Sequence, residues 1–170
     1  MATVTTQTYA TDVALAVTEW DATLAAGQYA TSAIFDNTST GYVDVLVGGV
    51  LELDATTPAA GDTMNIYIVG QYSETATDMT GGIDALFDAA TEEAVDTAFV
   101  KANLTLFDVV SVEATTPATA QGYHWGPRSV AAAFGGLMPK RFMLVLHNNT
   151  AGTMAAGTDC NTTGITYTST

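Results

Sequence analysis

Few side chains in this sequence can do chemistry: two histidines, His124 and His147, one cysteine, Cys160, and a serine, Ser129, close to the first histidine. A Ser-His-Asp set can be drawn from Ser129, His124 and any of several aspartates. However, Ser129 lacks the strand-turn-helix elbow that presents a nucleophile. Cys160 lies in Gly157-Thr158-Asp159-Cys160-Asn161, where no neighbouring cation would lower its pKa, so it reads as a spectator thiol. Two histidines and one cysteine fall short of a recognisable zinc spacing. The acidic cluster Asp78, Asp84, Asp88, Glu92, Glu93 and Asp96 lacks the ligand pattern of a calcium loop and reads as a solvated face. Gly48-Gly49, Gly81-Gly82 and Gly135-Gly136 are not followed by the Lys and Ser/Thr of a phosphate loop, and read as bends and caps. No catalytic centre, cofactor or metal is expected.

Binding chemistry offers two further candidates. Tyr42, Tyr67, Tyr72, Tyr123 and Trp125 have rings that would stack on sugars, but strand packing explains them equally well. Three of the four basic residues, Arg128, Lys140 and Arg141, fall close together beside Gly-Pro and Leu-Met-Pro turns. They would make a docking point for an acidic partner or a neighbouring copy, or intramolecular pairs that hold the turn, and both readings stay open. The triplets beginning at Asn37, Asn103, Asn148 and Asn161 match the glycosylation pattern, as chance allows in a chain this rich in Thr.

The elements that must position these groups are strands. Thr and Ala dominate, with thirty and twenty-eight copies, and the charged share is only 13%, so the polar faces of amphipathic helices are missing while β-branched residues abound. Apolar alternation predicts strands over 12–19, 28–35, 42–53, 64–71, 101–113, 141–147 and 165–168, with another around Tyr123 and Trp125. Gly48-Gly49 marks a bulge or bend that would carry its strand across both sheets. Ser129 is placed to cap a short helix ending at Gly135-Gly136, and helical spacing over 83–97 suggests another within a long excursion, 72–97. The expectation is one all-β domain over residues 1–170, a two-sheet antiparallel sandwich of about eight strands. Residues 1–9, polar and rich in Thr, with Thr3, Val4 and Thr5, read either as a frayed terminus or as an extended arm that orders against a partner.

The net charge of −14 would repel a phosphate backbone, which argues against nucleic-acid binding. A single cysteine leaves no intrachain disulfide and favours assembly inside a cell. The N-terminal residues do not read as a secretory signal, and no stretch is long enough to cross a bilayer.

Asp36-Asn37-Thr38 with Tyr42-Val43-Asp44-Val45-Leu46-Val47-Gly48-Gly49 resembles a pattern in small structural proteins of tailed bacteriophages, marine and cyanobacterial ones especially. The run from Tyr123 to Ala131, with Phe134-Gly135-Gly136, Pro139-Lys140-Arg141 and His147-Asn148, is similar to that family's C-terminal signature. The resemblance extends from about Tyr9 to Tyr167, and the excursion over 72–97 departs from it in length and sequence. It implies a jelly-roll decoration or cement protein on the outside of the virion, assembled in the host cytoplasm, tying capsomers together and often trimeric. The partners it implies are the major capsid protein and further copies of the chain. The alternative is a fibre or tail jelly roll that binds a host glycan through Tyr123 and Trp125.

Overall fold

The computed structural model describes residues 5–20, 24–54, 59, 61–72, 104–113 and 119–169. They form ten strands in two antiparallel sheets. The strands are β1 (Thr5–Tyr9), β2 (Val13–Ala14), β3 (Tyr29–Thr31), β4 (Phe35–Asp36), β5 (Asp44–Leu53), β6 (Thr63–Gln71), β7 (Thr105–Ser111), β8 (Gln121–Ser129), β9 (Arg141–Asn149) and β10 (Asp159–Ser169). The first sheet runs β1-β10-β5-β8, with β2 also on β10; the second runs β3-β9-β6-β7, with β4 also on β9.

Grouping β1 with β2 and β3 with β4 gives eight strand positions. In that order the first position pairs with the last, the second with the seventh, the third with the sixth and the fourth with the fifth. A long antiparallel hairpin rolled on itself produces this nesting, which is the jelly-roll path. The sequence reading of about eight strands in a sandwich therefore holds, with the first two positions each broken into short pieces.

Period-two alternation explains the core. Val45, Val47, Leu51 and Leu53 of β5 face Met64, Ile66 and Ile68 of β6 and Phe142, Leu144 and Leu146 of β9, all at most 2% exposed. β9 is apolar on its other face as well, where Met143 and Val145 join Tyr29, Val69 and Leu104 in a second cluster. Trp20, in a 3-10 turn at Thr18–Trp20, closes one end, its indole N–H donating to the Ala30 carbonyl at 3.1 Å. Among the described residues no helix is long and apolar enough to cross a membrane.

Several expectations need correction. The strand expected over 12–19 is only Val13–Ala14: Leu15 and Val17 are buried as the chain crosses between sheets, while Val13 is exposed. Leu15 N–H still bonds Cys160 of the first sheet, and the Ala16 carbonyl already accepts from Ala33 beside the second. A register shift does fall between Val47 and Gly49, but its extra residue is on β8, where Gly126 and Pro127 together stand opposite Gly48, and β5 stays in the first sheet throughout. Gly126-Pro127 does not end the strand before it, since β8 continues to Ser129. The expected strand at 165–168 begins earlier, at Asp159. Thr5–Tyr9 is not a free arm but an edge strand in register with β10, from Thr5 opposite Ser169 to Tyr9 opposite Ile165. Thr3 and Val4, the helix expected over 83–97 and the acidic cluster lie outside the described residues.

The packing separates two neighbouring leucine-like side chains sharply. Ile66 is fully buried, whereas Leu106 on β7 is 54% exposed. Ile66→Ala should cost about 2–5 kcal/mol in urea unfolding and Leu106→Ala within about 0.5 kcal/mol.

Candidate functional site

An open groove of about 680 Å³ lies on the outer face of the first sheet. Its floor is backbone where the bulge of β8, at Gly126-Pro127, meets Gly48 and Gly49 of β5. A side chain at Gly49 would collide with the Asp159 carbonyl, and one at Gly126, which has φ +68°, would collide with the Val47 carbonyl. Tyr9, Asp12 and His124 stand at its rim. Both of its aspartates serve the scaffold: Asp159 accepts from the Val50 N–H at 2.9 Å, and Asp12 accepts from the Thr163 hydroxyl.

The groups singled out for chemistry are held apart. Ser129 donates its hydroxyl to Asp44 at 2.7 Å and accepts from the Ala132 N–H at 3.0 Å. It is thus the N-cap of α1 (Val130–Ala133), as its sequence position predicts. The other Asp44 oxygen accepts from Ala131 at 2.9 Å and Val45 at 2.8 Å, so one carboxylate fastens the helix start to β5. Cys160 is buried, and desolvation, with Asp159 adding to it, pushes its thiol up to about 12. At neutral pH it stays protonated. The His147 ring lies flat on Tyr29, with centroids 4.1 Å apart and planes 4° from parallel, and burial pushes its pKa down.

Arg128 and Arg141, thirteen positions apart in the sequence, divide between the sheets. Arg128 on β8 grips Asp108 on β7 through Nη2 to Oδ1 at 2.8 Å and Nε to Oδ2 at 3.0 Å. Phe107 and Trp125 meet edge to face beside this pair, with centroids 6.4 Å apart. The edges of the two sheets are therefore joined by a bidentate ion pair laid over an aromatic contact. Desolvation works to raise the Asp108 pKa, but the Arg128 hydrogen bonds, with N–H bonds from Val109 and Gly126, outweigh it and hold the carboxyl below its usual range. Arg141 is buried and pairs at 3.0 Å with Asp36, its register partner on β4. Asp36 is also held low, chiefly by the hydroxyl and N–H of Thr38 and then by Arg141. Lys140 is half-buried, its carbonyl accepting from Asn37 at 2.8 Å. For Arg128 and Arg141 the intramolecular reading of the basic group accounts for the charge. Thr5 is exposed on β1.

The glycan alternative named Tyr123 and Trp125. Trp125 belongs to the core at 5% exposure and Tyr123 packs against that core, so neither offers a free sugar platform. Sequence reasoning missed the pairing of Arg128 and Arg141 with Asp108 and Asp36, carboxylates remote in the chain that carry no local signal. No protein-family model and no curated protein matches this sequence.

Two expectations follow for the isolated protein. Ser129→Ala should lower unfolding free energy by about 0.5–2 kcal/mol, the cost of a lost helix cap. On acidification, thermal stability should fall in two stages. A histidine with a lowered folded pKa is protonated more readily when unfolded, so His147 begins to favour unfolding as pH drops below about 6.5. The depressed Asp36 and Asp108 contribute stability above about 3.8 that is lost as pH falls through their folded values. Melting curves across pH should show His147→Phe abolishing the first stage and Asp36→Asn shrinking the second.

Proposed function

We propose that this chain is a structural virion protein, a capsid decoration or cement subunit that binds the outside of a phage head and ties neighbouring capsomers together. The single observation that carries the reading is the nested eight-position sandwich, which gives the phage-like sequence signatures the architecture their resemblance implies. Within it, those signatures do scaffold work: Asp44 and Ser129 fasten the helix, the glycines shape the bulge, and Arg141 pairs with Asp36.

The surface suits such a role. Tyr9, Val13 and Tyr167 expose large apolar groups along the β1, β2 and β10 side of the first sheet, on a chain whose net charge is −14. A cement protein meets many identical sites, so each contact can be weak while repetition makes the whole firm. Its partners under this reading are the major capsid protein and further copies of itself, and its place is the virion surface. Such a role asks for shape and surface, and Ser129 and Cys160 serve the scaffold instead of presenting nucleophiles.

Quantitative mass spectrometry of purified particles tests the proposal. A copy number comparable to that of the main shell protein is expected. A handful of copies per particle would point to a fibre or tail component, and absence from particles would refute a virion role.

A further inference from the structure

Each sheet of an open sandwich ends in edge strands whose outward N–H and C=O groups can template another strand, and proteins ordinarily blunt such edges. Three of the four edges here are blunted. In β8, Gly126-Pro127 removes a donor. In β7, the register shifts opposite Ile66 and Tyr67, and Asp108 is tied across the seam to Arg128. The β3/β4 edge is split into pieces of three and two residues.

The fourth edge is split as well, into β1 and the two-residue β2, but β1 itself is longer than either piece of the β3/β4 edge and has none of the other devices. Thr5-Thr6-Gln7-Thr8-Tyr9 is five exposed residues in unbroken register with β10, with no proline, bulge or charge. The sequence has no charged side chain before Asp12 or after Asp159, so β1 and nearly all of β10 form an uncharged margin on a chain of net charge −14. Among the described residues, no strand covers its outer side. The Ala10 N–H bonds the Gly164 carbonyl, so by strand alternation Thr6 and Thr8 point their backbone groups at β10, while Thr5, Gln7 and Tyr9 point theirs outward.

We infer that β1 is a self-pairing edge, through which two copies of this chain join antiparallel about a two-fold axis at Gln7. The strand is nearly palindromic: this register sets Gln7 against Gln7 of the second copy, Thr6 against Thr8 and Thr5 against Tyr9. Antiparallel pairing of the outward groups would make about six backbone hydrogen bonds and fuse the two first sheets into one continuous sheet. Tyr9 would lie across Thr5 of the other copy on the outer face, a β-branched and aromatic cross-strand pair. The uncharged margin is what allows two strongly acidic chains to approach here, and charge elsewhere on them makes the pairing tighten with salt. The inference does not rest on the virion role, because it concerns the isolated protein and is tested without particles.

Sedimentation velocity of the full chain over a wide concentration range at low and high salt provides the test, alongside Gln7→Pro. That substitution removes one outward N–H and none of the bonds to β10. The wild type should show a monomer-dimer equilibrium that salt strengthens, and Gln7→Pro should lose the dimer while its circular dichroism stays native. A wild type that is monomeric throughout, a trimer, or a dimer that survives in a natively folded Gln7→Pro would overturn the inference. Hydrogen exchange of the unmodified protein gives an independent reading if the variant misfolds. Amides of Thr5, Gln7 and Tyr9 should be protected at high concentration and exposed on dilution, and rapid exchange under both conditions would overturn the pairing.

Discussion

The structure depends on the burial of β9 on both faces. From Arg141 to Leu146 every residue is buried, with Phe142, Leu144 and Leu146 turned to the space between the sheets and Met143 and Val145 to the second cluster. A strand buried on both sides must satisfy its backbone within its own sheet, and β9 does so through nine register pairs with β6 on one side and through β3 and β4 on the other. A slip of one residue would exchange the two buried sets between faces of different depth and shape, so the register of the second sheet is fixed by packing. The first sheet then follows, because Val45, Val47, Leu51 and Leu53 share one core cluster with the inner faces of β6 and β9.

That constraint also decides where the reactive groups go. Cys160 sits on an inner face and is kept protonated by burial; His147 stacks on Tyr29 next to the β9 ladder; Ser129 is spent on Asp44 and the helix start. The ion pair of Arg128 with Asp108 draws the edges of the two sheets together where, among the described residues, no backbone ladder joins them. Side chains that sequence alone would enrol in chemistry or docking are thereby used to close the sandwich, and the outward surfaces are left for contact with other molecules.

Much of the fold was legible in the residues because its central strands carry strict alternation. Met64, Ile66 and Ile68 face one way and Tyr67 and Val69 the other, as their spacing predicts. The Ser129 cap was equally readable, since it rests on a local backbone demand, whereas the bulge expected at Gly48-Gly49 lies on the facing strand, at Gly126-Pro127. The outer strands were harder. β10 fills its inner face with Cys160, Thr162 and Gly164, the last lying under the Tyr42 ring, so it shows no apolar period. β1 has no buried face and hence no pattern at all. The ion pairs were invisible for a different reason: Asp36 and Arg141, like Asp108 and Arg128, meet only after the chain has folded, and closeness in sequence had suggested a basic patch that folding distributes between two sheets.

Under the proposed function the protein is a self-sufficient scaffold that works by occupying repeated positions on a shell. The most direct test is to add the purified protein to intact heads that lack it and measure what binds. Saturable binding at a fixed ratio to the shell subunits, together with greater resistance of the heads to heat, is the predicted result. Failure to bind intact heads while the protein remains natively folded would contradict the account.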